Sequence, residues 1–301
     1  MIQVNCVAVQ QHDFCTNVVL NFQKMDTIEV KKSVVEGYSQ LAKASKGGLI
    51  SKLFGCCNTG ENAVTVGKAI GYSQAELELA PEGANLGVGC GNPSAHAAIK
   101  PGQTVVDLGS GAGCDAFIIA KSVGKTGKVV GVDLSTEMIS LARRNARKGR
   151  YGNVEFLHGD IEQLPIKDNI ADWVVSNCVI NLSERKDLVY REAFRVLREG
   201  GKISVSDIVL ERELPEFIKK SLAGRVACVS GAEKLSDYLR YVQDAGFKNI
   251  NVESKGHFPL ELIISDPQLA QIAQELNFNI NSDEVKDIAS RVASISLTAE
   301  K

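Results

Sequence analysis

The stretch TVVDLGSGAG, residues 104–113, decides the fold of this chain. Its first half is apolar and β-branched, as is typical of a strand buried on both faces of a parallel sheet. Its glycines, Gly109, Gly111 and Gly113, permit a sharp turn and let a ligand approach the backbone closely. The helix that we expect next would point its N-terminal amides at that ligand. This order of strand, turn and helix predicts a site for a nucleotide-like molecule, the alternative being a tight connection without a ligand.

The residues around the glycines distinguish between kinds of nucleotide-like ligand. The dinucleotide motif G-x-G-x-x-G, counted from Gly109, requires a glycine where this chain has Cys114. The phosphate-binding motif G-x-x-x-x-G-K-[ST] does not occur in the sequence. Asp107 precedes the first glycine, and Asp133 ends the next predicted strand, where a carboxylate suits ribose hydroxyls. This pattern resembles the S-adenosylmethionine site of class I methyltransferases.

The composition limits the kind of protein. The chain has 301 residues, 44% of them hydrophobic, which is enough for one large α/β domain with additions. Its net charge is −2, from 34 basic and 36 acidic residues, so we expect a small-molecule substrate and no nucleic-acid partner. The sequence shows no apolar run of membrane-spanning length and no signal-peptide pattern, which predicts a cytoplasmic protein without a membrane partner. We also expect a monomer.

Eight cysteines are more than a core of this size needs. Their spacing does not resemble the dense pattern of a secreted disulfide scaffold, and it contains no C-x-x-C pair of the kind found in zinc ribbons. We therefore expect free thiols. One of them, Cys90, lies in a loop rich in glycine and proline, residues 81–93, which is typical of a functional loop.

Strand-like and helix-like segments alternate regularly after the glycine motif. Further strands are predicted in KVVGVD, in NVEFLHGD to Asp160, in ADWVVSN to Asn177, and in KISVSD to Asp207. The alternation predicts an α/β fold with a doubly wound, mostly parallel seven-stranded sheet, of the Rossmann-like class. Ligand-binding groups are then expected at the carboxyl ends of the strands.

Five longer motifs extend the resemblance. GYSQAELELAPEGANLGVGCGNP, VVDLGSGAGCD, VVSNCVINL, FRVLREGGKISVSDIV and CVSGA, in this order and spacing, closely resemble arsenite methyltransferases from about residue 30 to about residue 260. The resemblance implies methylation of trivalent arsenic, as arsenite or methylarsenite, with S-adenosylmethionine as methyl donor, for arsenic detoxification. It implies that Cys90, Cys178 and Cys228 are the arsenic-binding thiols. A further catalytic cysteine of the family corresponds to Cys56 or Cys57, and the sequence leaves the choice open.

The resemblance also implies the contacts of the cofactor. The methionine part would lie against the glycine loop, the ribose against Asp133, and the adenine between Met138, Asp160 and Ile161, with Asn177 beside the methyl group. The full set of expected cofactor residues is Asp107, Gly109, Ser110, Gly111, Gly113, Asp133, Leu134, Met138, Asp160, Ile161 and Asn177.

With this resemblance the chain divides into five parts. We expect an unassigned segment 1–25, a helical cap 26–80, and an S-adenosylmethionine-binding methyltransferase core 81–210. An arsenic-binding region with the remaining sheet follows at 211–260. Residues 261–301 are predicted to be a helical tail, with two helices around the polar sequence NFNINSD.

The chemistry of arsenic agrees with these residue types. Trivalent arsenic is thiophilic, so three thiolates can replace its three hydroxyl groups. Its own lone pair attacks the methyl group, so no base is required and catalysis is mostly positioning. The oxidised product needs two electrons, which nearby thiols can supply by forming a disulfide that thioredoxin or glutathione then reduces.

Two other functions remain open at the level of sequence. A methyltransferase for a small organic molecule, such as a quinone or sterol precursor, would share the glycine loop but would need a large apolar pocket and often a base. A non-catalytic protein could instead use the cysteines as a tetrahedral zinc site, although structural zinc ligands are usually paired closely in sequence. Titration with arsenite and with zinc, followed by a methyl-transfer assay, separates these functions.

Overall fold

A seven-stranded sheet forms the centre of the protein, whose computed structural model describes residues 27–44, 59–219, 228–257 and 283–301. The strand order is β3-β2-β1-β4-β5-β7-β6. Neighbouring strands from β3 through β5 are parallel, and β7 is antiparallel to both β5 and β6. The predicted mostly parallel sheet is thereby confirmed. The strands are β1 (Thr104–Leu108), β2 (Lys128–Asp133), β3 (Val154–His158), β4 (Ala171–Asn177), β5 (Leu197–Leu210), β6 (Lys248–His257) and β7 (Val292–Glu300).

Helices cover both faces of the sheet. Successive residues of β1 point to opposite faces, so Val105 packs with the α4 and α5 side chains and Val106 with those of α6 and α8. Both valines are completely buried, which explains why the strand is apolar along its whole length. The helices are α1 (Thr27–Ala44), α2 (Thr59–Ala69), α3 (Gln74–Leu79), α4 (Cys114–Val123), α5 (Thr136–Gly149), α6 (Lys186–Val196), α7 (Glu216–Lys219), α8 (Leu235–Asp244) and α9 (Asp283–Ser290). In the described ranges, no helix is both long and apolar enough to cross a membrane.

The predicted helical tail is wrong over its last part. After α9, residues 292–300 form β7, which inserts between β5 and β6. From Ala293 to Glu300 apolar and polar residues alternate, so Ile295 and Leu297 enter the core while serine and threonine take the other face. The alanines, serines and threonine of this segment differ little in hydrophobicity, which hides its period of two in the sequence. The first of the two predicted tail helices lies outside the described residues.

Helix α1 lies over the carboxyl edge of the sheet. The Lys31 ammonium group contacts Asp160 at 2.7 Å and Glu162 at 2.6 Å, just beyond the end of β3. Further along α1, the Ser39 hydroxyl donates to Glu137 at 2.8 Å and lies 3.0 Å from the Ser135 hydroxyl, at the start of α5. The helix therefore covers the edge at which ligand groups are expected.

Candidate active site

A cavity opens at the carboxyl edge of β1, β2 and β4, beneath α1. Its empty volume, which includes space open to solvent, is about 1140 Å³. Of the expected cofactor residues, all except Gly113 line it. Those that line it are Asp107, Gly109, Ser110, Gly111, Asp133, Leu134, Met138, Asp160, Ile161 and Asn177.

The glycine loop needs its glycines for different reasons. Gly111 has a positive φ of 52° and no atom within 4 Å of the position a Cβ would take, so its backbone is open to a ligand. Gly113 also has a positive φ, 97°, but a Cβ there would meet the Phe117 and Phe156 rings at 2.6–2.7 Å. Gly113 thus lets the loop pack against aromatic side chains and start α4, rather than lining the cavity.

Asp133 joins the glycine loop to the end of β2. Its Oδ2 accepts a hydrogen bond from the Gly111 backbone N–H at 2.9 Å, and its Oδ1 accepts one from the Ser135 N–H at 2.8 Å. Burial raises the pKa of this carboxyl, while the two backbone donors act in the opposite direction. Asp133 is therefore oriented by the backbone before any ligand binds.

Asp107 is a second buried carboxylate that lines the cavity. Asp107 is 2% exposed, and its Oδ2 has no hydrogen-bond partner among the described residues. Burial, with the nearby Asp115 and Asp133 carboxylates, raises the pKa of Asp107 well above its usual range. Buried acceptors without partners are costly, so this region suits a ligand that brings positive charge or hydrogen-bond donors.

Three free thiols converge beside the cavity, from three separate segments of the chain. Cys178 follows β4 and lines the cavity, whereas Cys90 and Cys228 are each only 3% exposed behind it. The Cys228 thiol donates to the Cys178 carbonyl oxygen at 2.7 Å. The sulfur atoms of Cys90 and Cys178 and a carboxylate oxygen of Asp207 lie within 4.8 Å of one another. Cys56 and Cys57 lie outside the described residues.

Unusual backbone geometry places two of these thiols. Cys178 has a φ of 58° and Cys228 a φ of 63°, which are left-handed values that cost a non-glycine residue about 1–2 kcal/mol each. The turn at Cys178 is held by its backbone N–H, which donates to the Ser206 carbonyl of β5 at 2.8 Å. Strain of this kind is retained at functional sites, which makes the cysteine pair the strongest candidate for chemistry.

Asn177 fixes the loop that carries Cys90. Its side-chain oxygen accepts from the Cys90 backbone N–H at 3.1 Å, and its amide nitrogen donates to the Gly91 carbonyl at 2.9 Å. The same nitrogen reaches the Tyr72 hydroxyl at 3.0 Å and Asp115 at 3.2 Å. The Asn177 amide, expected to serve the cofactor, is thus largely committed to positioning a thiol.

Strand β7 holds the same loop from the other side. The Ser294 hydroxyl donates to the Cys90 carbonyl oxygen at 2.6 Å. Gly91 lets the loop approach Ser206 of β5 closely, because a Cβ at position 91 would lie 2.6 Å from Ser206. The thiol of Cys90 is therefore placed by residues from β4, β5 and β7 together.

The surroundings of Cys90 and Cys228 favour the protonated form of both thiols. Burial raises the pKa of Cys90 to about 11. The hydrogen bond with Cys178, together with burial, raises the pKa of Cys228 well above its usual range. The site can therefore exchange thiol groups for hydroxyl groups on a thiophilic element, with the protons leaving as water.

Sequence reasoning missed several residues of the site. Tyr72 donates to Asp115 at 2.5 Å, and Tyr38 of α1 lines the cavity. Asp207 was assigned to a strand end but given no role. Its position at the carboxyl edge was the available signal, whereas the two tyrosines come from the cap and give no local pattern.

The chain is similar to known methyltransferases. A family model described as a methyltransferase domain matches residues 99–246. An arsenite methyltransferase from Halobacterium salinarum is 39% identical over 236 residues, covering 76% of this chain and 60% of that protein. One from Aquipseudomonas alcaligenes is 36% identical over 177 residues, covering 56% of this chain and 51% of that protein. The match thus spans about half to three-fifths of these curated relatives.

A solved structure is also similar. The crystal structure of CrArsM, an arsenic (III) S-adenosylmethionine methyltransferase from Chlamydomonas reinhardtii, has a TM-score of 0.57 with this chain. The two are 30% identical, and the match covers 78% of this chain and 72% of the other. The similarity therefore extends well beyond the glycine loop.

Proposed function

Because this chain belongs to the arsenite methyltransferase family, we propose that it methylates trivalent arsenic in arsenic detoxification, with S-adenosylmethionine as methyl donor and cysteine thiolates as arsenic ligands. The observation that carries the proposal is the convergence of Cys90, Cys178 and Cys228 beside the glycine-loop cavity. The substrate is then a small molecule, arsenite or methylarsenite.

The residues of the cavity fit S-adenosylmethionine. Asp133 is oriented to accept from ribose hydroxyls, and Met138 and Ile161 offer apolar surface to the adenine. Asp107 has an unpaired carboxylate oxygen, and Gly111 leaves its backbone open, both of which suit the charged methionine part. When bound, the cofactor supplies an electrophilic methyl group on a sulfonium. The chain's part is to hold that group and exclude water.

Arsenic binding follows from thiol chemistry. Each sulfur–arsenic bond forms as an arsenic–hydroxyl bond breaks, and the thiol proton leaves with the hydroxyl as water. Three exchanges give arsenic bound to Cys90, Cys178 and Cys228. Since Cys178 lines the cavity, arsenic bound to it would lie beside the methyl donor, and no base is needed because the arsenic nucleophile carries no proton.

The thiols also account for the reduction that must follow. Methyl transfer commits the arsenic lone pair to the new carbon bond, which leaves arsenic oxidised by two electrons. Two arsenic-bound sulfurs return these electrons as their arsenic–sulfur bonds break and a sulfur–sulfur bond forms, and water supplies a hydroxyl group to the freed arsenic position and releases a proton. Thioredoxin or glutathione then reduces that disulfide at the expense of its own thiols.

A direct assay tests the proposed function. The protein is incubated with arsenite, a thiol reductant and methyl-labelled S-adenosylmethionine, and labelled methylarsenicals are expected. A zinc titration and an organic acceptor serve as parallel arms. Methyl transfer to the organic acceptor without transfer to arsenite would contradict the proposal.

The pH dependence of arsenite binding follows from the raised thiol pKa values. Below the pKa of about 11 at Cys90, the thiols are protonated, and their protons leave within water, so binding releases no net proton. We expect the affinity for arsenite to stay constant between about pH 7 and pH 8.5. Calorimetry in two buffers of different ionisation enthalpy should give the same binding heat. A heat that changes with the buffer would mean that the thiols are already ionised.

The ion pairs of Lys31 lead to a prediction about the cofactor. Lys31→Met removes its contacts with Asp160 and Glu162, each worth about 0.2–1 kcal/mol for partly exposed pairs, and so loosens α1 over the cavity. S-adenosylmethionine binding should weaken about two- to tenfold, less at high salt. Lys43→Met on the same helix, whose pair with Glu137 is 3.6 Å long and more exposed, is the matched control and should change nothing. Equal effects of the two variants would rule out a specific role of Lys31.

A further inference from the structure

We propose that Cys90, Cys178 and Asp207 form a binding site for a thiophilic divalent cation, such as Cd²⁺ or Zn²⁺, which competes with arsenic for the same thiols. One ligand atom from each of the three lies within 4.8 Å of the other two. A cation between them needs only small side-chain movements to reach sulfur at about 2.3 Å and oxygen at about 2.0–2.2 Å. The site shares its thiols with the proposed function but depends on Asp207, which arsenic does not need.

Asp207 is held rigidly beside the thiols. It is completely buried, and its Oδ1 accepts from the Asn181 amide and the Ile208 backbone N–H, both at 2.8 Å. Among the described residues its Oδ2 accepts only from the Tyr238 hydroxyl, at 2.8 Å, so one acceptor position of that oxygen remains. The carboxylate is therefore fixed in orientation and still able to bind a cation.

The surroundings leave the charge of Asp207 without a direct ion pair among the described side chains. Lys186, whose charge acts on Asp207, donates instead to Glu233 at 3.1 Å and to the Ser183 carbonyl at 3.3 Å. A buried carboxylate that lacks a counter-ion favours a bound cation.

The two kinds of ligand differ in the donors that they need. Trivalent arsenic is satisfied by three sulfur atoms and keeps a lone pair, so an oxygen donor adds nothing. A divalent cation such as Cd²⁺ or Zn²⁺ needs about four donors. Two sulfurs and one carboxylate oxygen leave a fourth position, which a water molecule can take. Asp207 should therefore strengthen binding of the cation alone.

The test compares Cd²⁺ and arsenite on the full chain. Cadmium binding is followed by the near-ultraviolet absorbance of the cadmium–thiolate bond, and arsenite binding by calorimetry. Asp207→Asn keeps the shape of the side chain and should weaken Cd²⁺ binding about 10- to 100-fold while leaving arsenite affinity unchanged. Cadmium bound to other cysteines is measured in the Cys90→Ser/Cys178→Ser double variant and subtracted. Saturating Cd²⁺ should block arsenite binding to the wild-type protein.

Asp172→Asn is the matched control. Asp172 is a buried aspartate near the start of β4, at the opposite end of that strand from Cys178, and it pairs with Arg198 and the Thr104 N–H. The Asp172→Asn protein should bind Cd²⁺ and arsenite as the wild type does. S-adenosylmethionine titration confirms that each variant is folded.

The outcomes separate the two proposals. Equal Cd²⁺ affinity of wild type and Asp207→Asn overturns the cation site, and so does parallel loss of both ligands in a folded Asp207→Asn variant, which would make Asp207 a general positioning residue. If Cd²⁺ binding depends on Asp207 but arsenite is neither bound nor methylated, the cation site stands and the proposed function fails.

Discussion

Cys90→Ser is expected to abolish methylation of arsenite, a loss of about 100-fold or more, and to preserve methylation of methylarsenite. Arsenite offers three exchangeable hydroxyl groups, whereas methylarsenite offers two and needs only two thiols. The pair that remains is Cys178, at the cavity wall, and Cys228, whose thiol donates to the Cys178 carbonyl oxygen. Cys178→Ser and Cys228→Ser should therefore abolish both activities.

The controls for this prediction use another thiol and the folded fraction. Cys114 also lines the cavity, but it lies at the start of α4 and is not one of the three proposed arsenic ligands. Cys114→Ser should therefore keep both activities. Circular dichroism reports whether each variant is folded. If a folded Cys90→Ser protein methylates both substrates at the wild-type rate, the three-thiolate arrangement is wrong. If both activities fall only as folding is lost, the cysteines are packing residues.

Asp133→Ala should weaken S-adenosylmethionine binding about 10- to 150-fold while leaving arsenite binding nearly unchanged. An ionised acceptor for ribose hydroxyls contributes about 1.5–3 kcal/mol. Asp133 also accepts from the N–H groups of Gly111 and Ser135, so the alanine variant loosens the glycine loop as well. Calorimetric titration with each ligand measures the effect.

A second variant at this position separates the two roles of the carboxylate. Asp133→Asn keeps an oxygen that can accept from one backbone N–H, but it loses the charge. We expect an intermediate loss of cofactor affinity. Should either variant lose both ligands equally, Asp133 would be a structural residue and its assignment to the cofactor would be wrong.

The core of the fold was predictable because its signals are local. The apolar run at residues 104–108, the three glycines and the acid at 133 are contiguous patterns, and the structure has a strand, a turn and a strand end there. Strand β7 was not predictable in this way, since VASISLTAE mixes apolar residues with serine and threonine. Its place in the sheet also depends on contacts with residues about ninety positions away.

The site was predictable in part and for a different reason. The three cysteines came from resemblance to a family, not from spacing, because nothing local brings residues 90, 178 and 228 together. The Asn177 amide and the Asp207 carboxylate act through partners from other elements, such as the Cys90 backbone and the Tyr238 hydroxyl. Hydrogen bonds of this kind exist only after the tertiary structure has formed.

The position of β7 between β5 and β6 has a consequence for synthesis on the ribosome. Its register with β5 runs from Lys202 paired with Glu300 to Leu210 paired with Val292, so β5 keeps an open edge until residue 300 has been translated. During that interval β6 has no place to dock, since it pairs with β7 and not with β5. The Cys90 loop lacks its bond from Ser294 for the same period. A nascent chain therefore completes its sheet and the contacts of its Cys90 loop in one late step. Termination before β7 would leave β5 with an open, aggregation-prone edge and the Cys90 loop without its bond from Ser294.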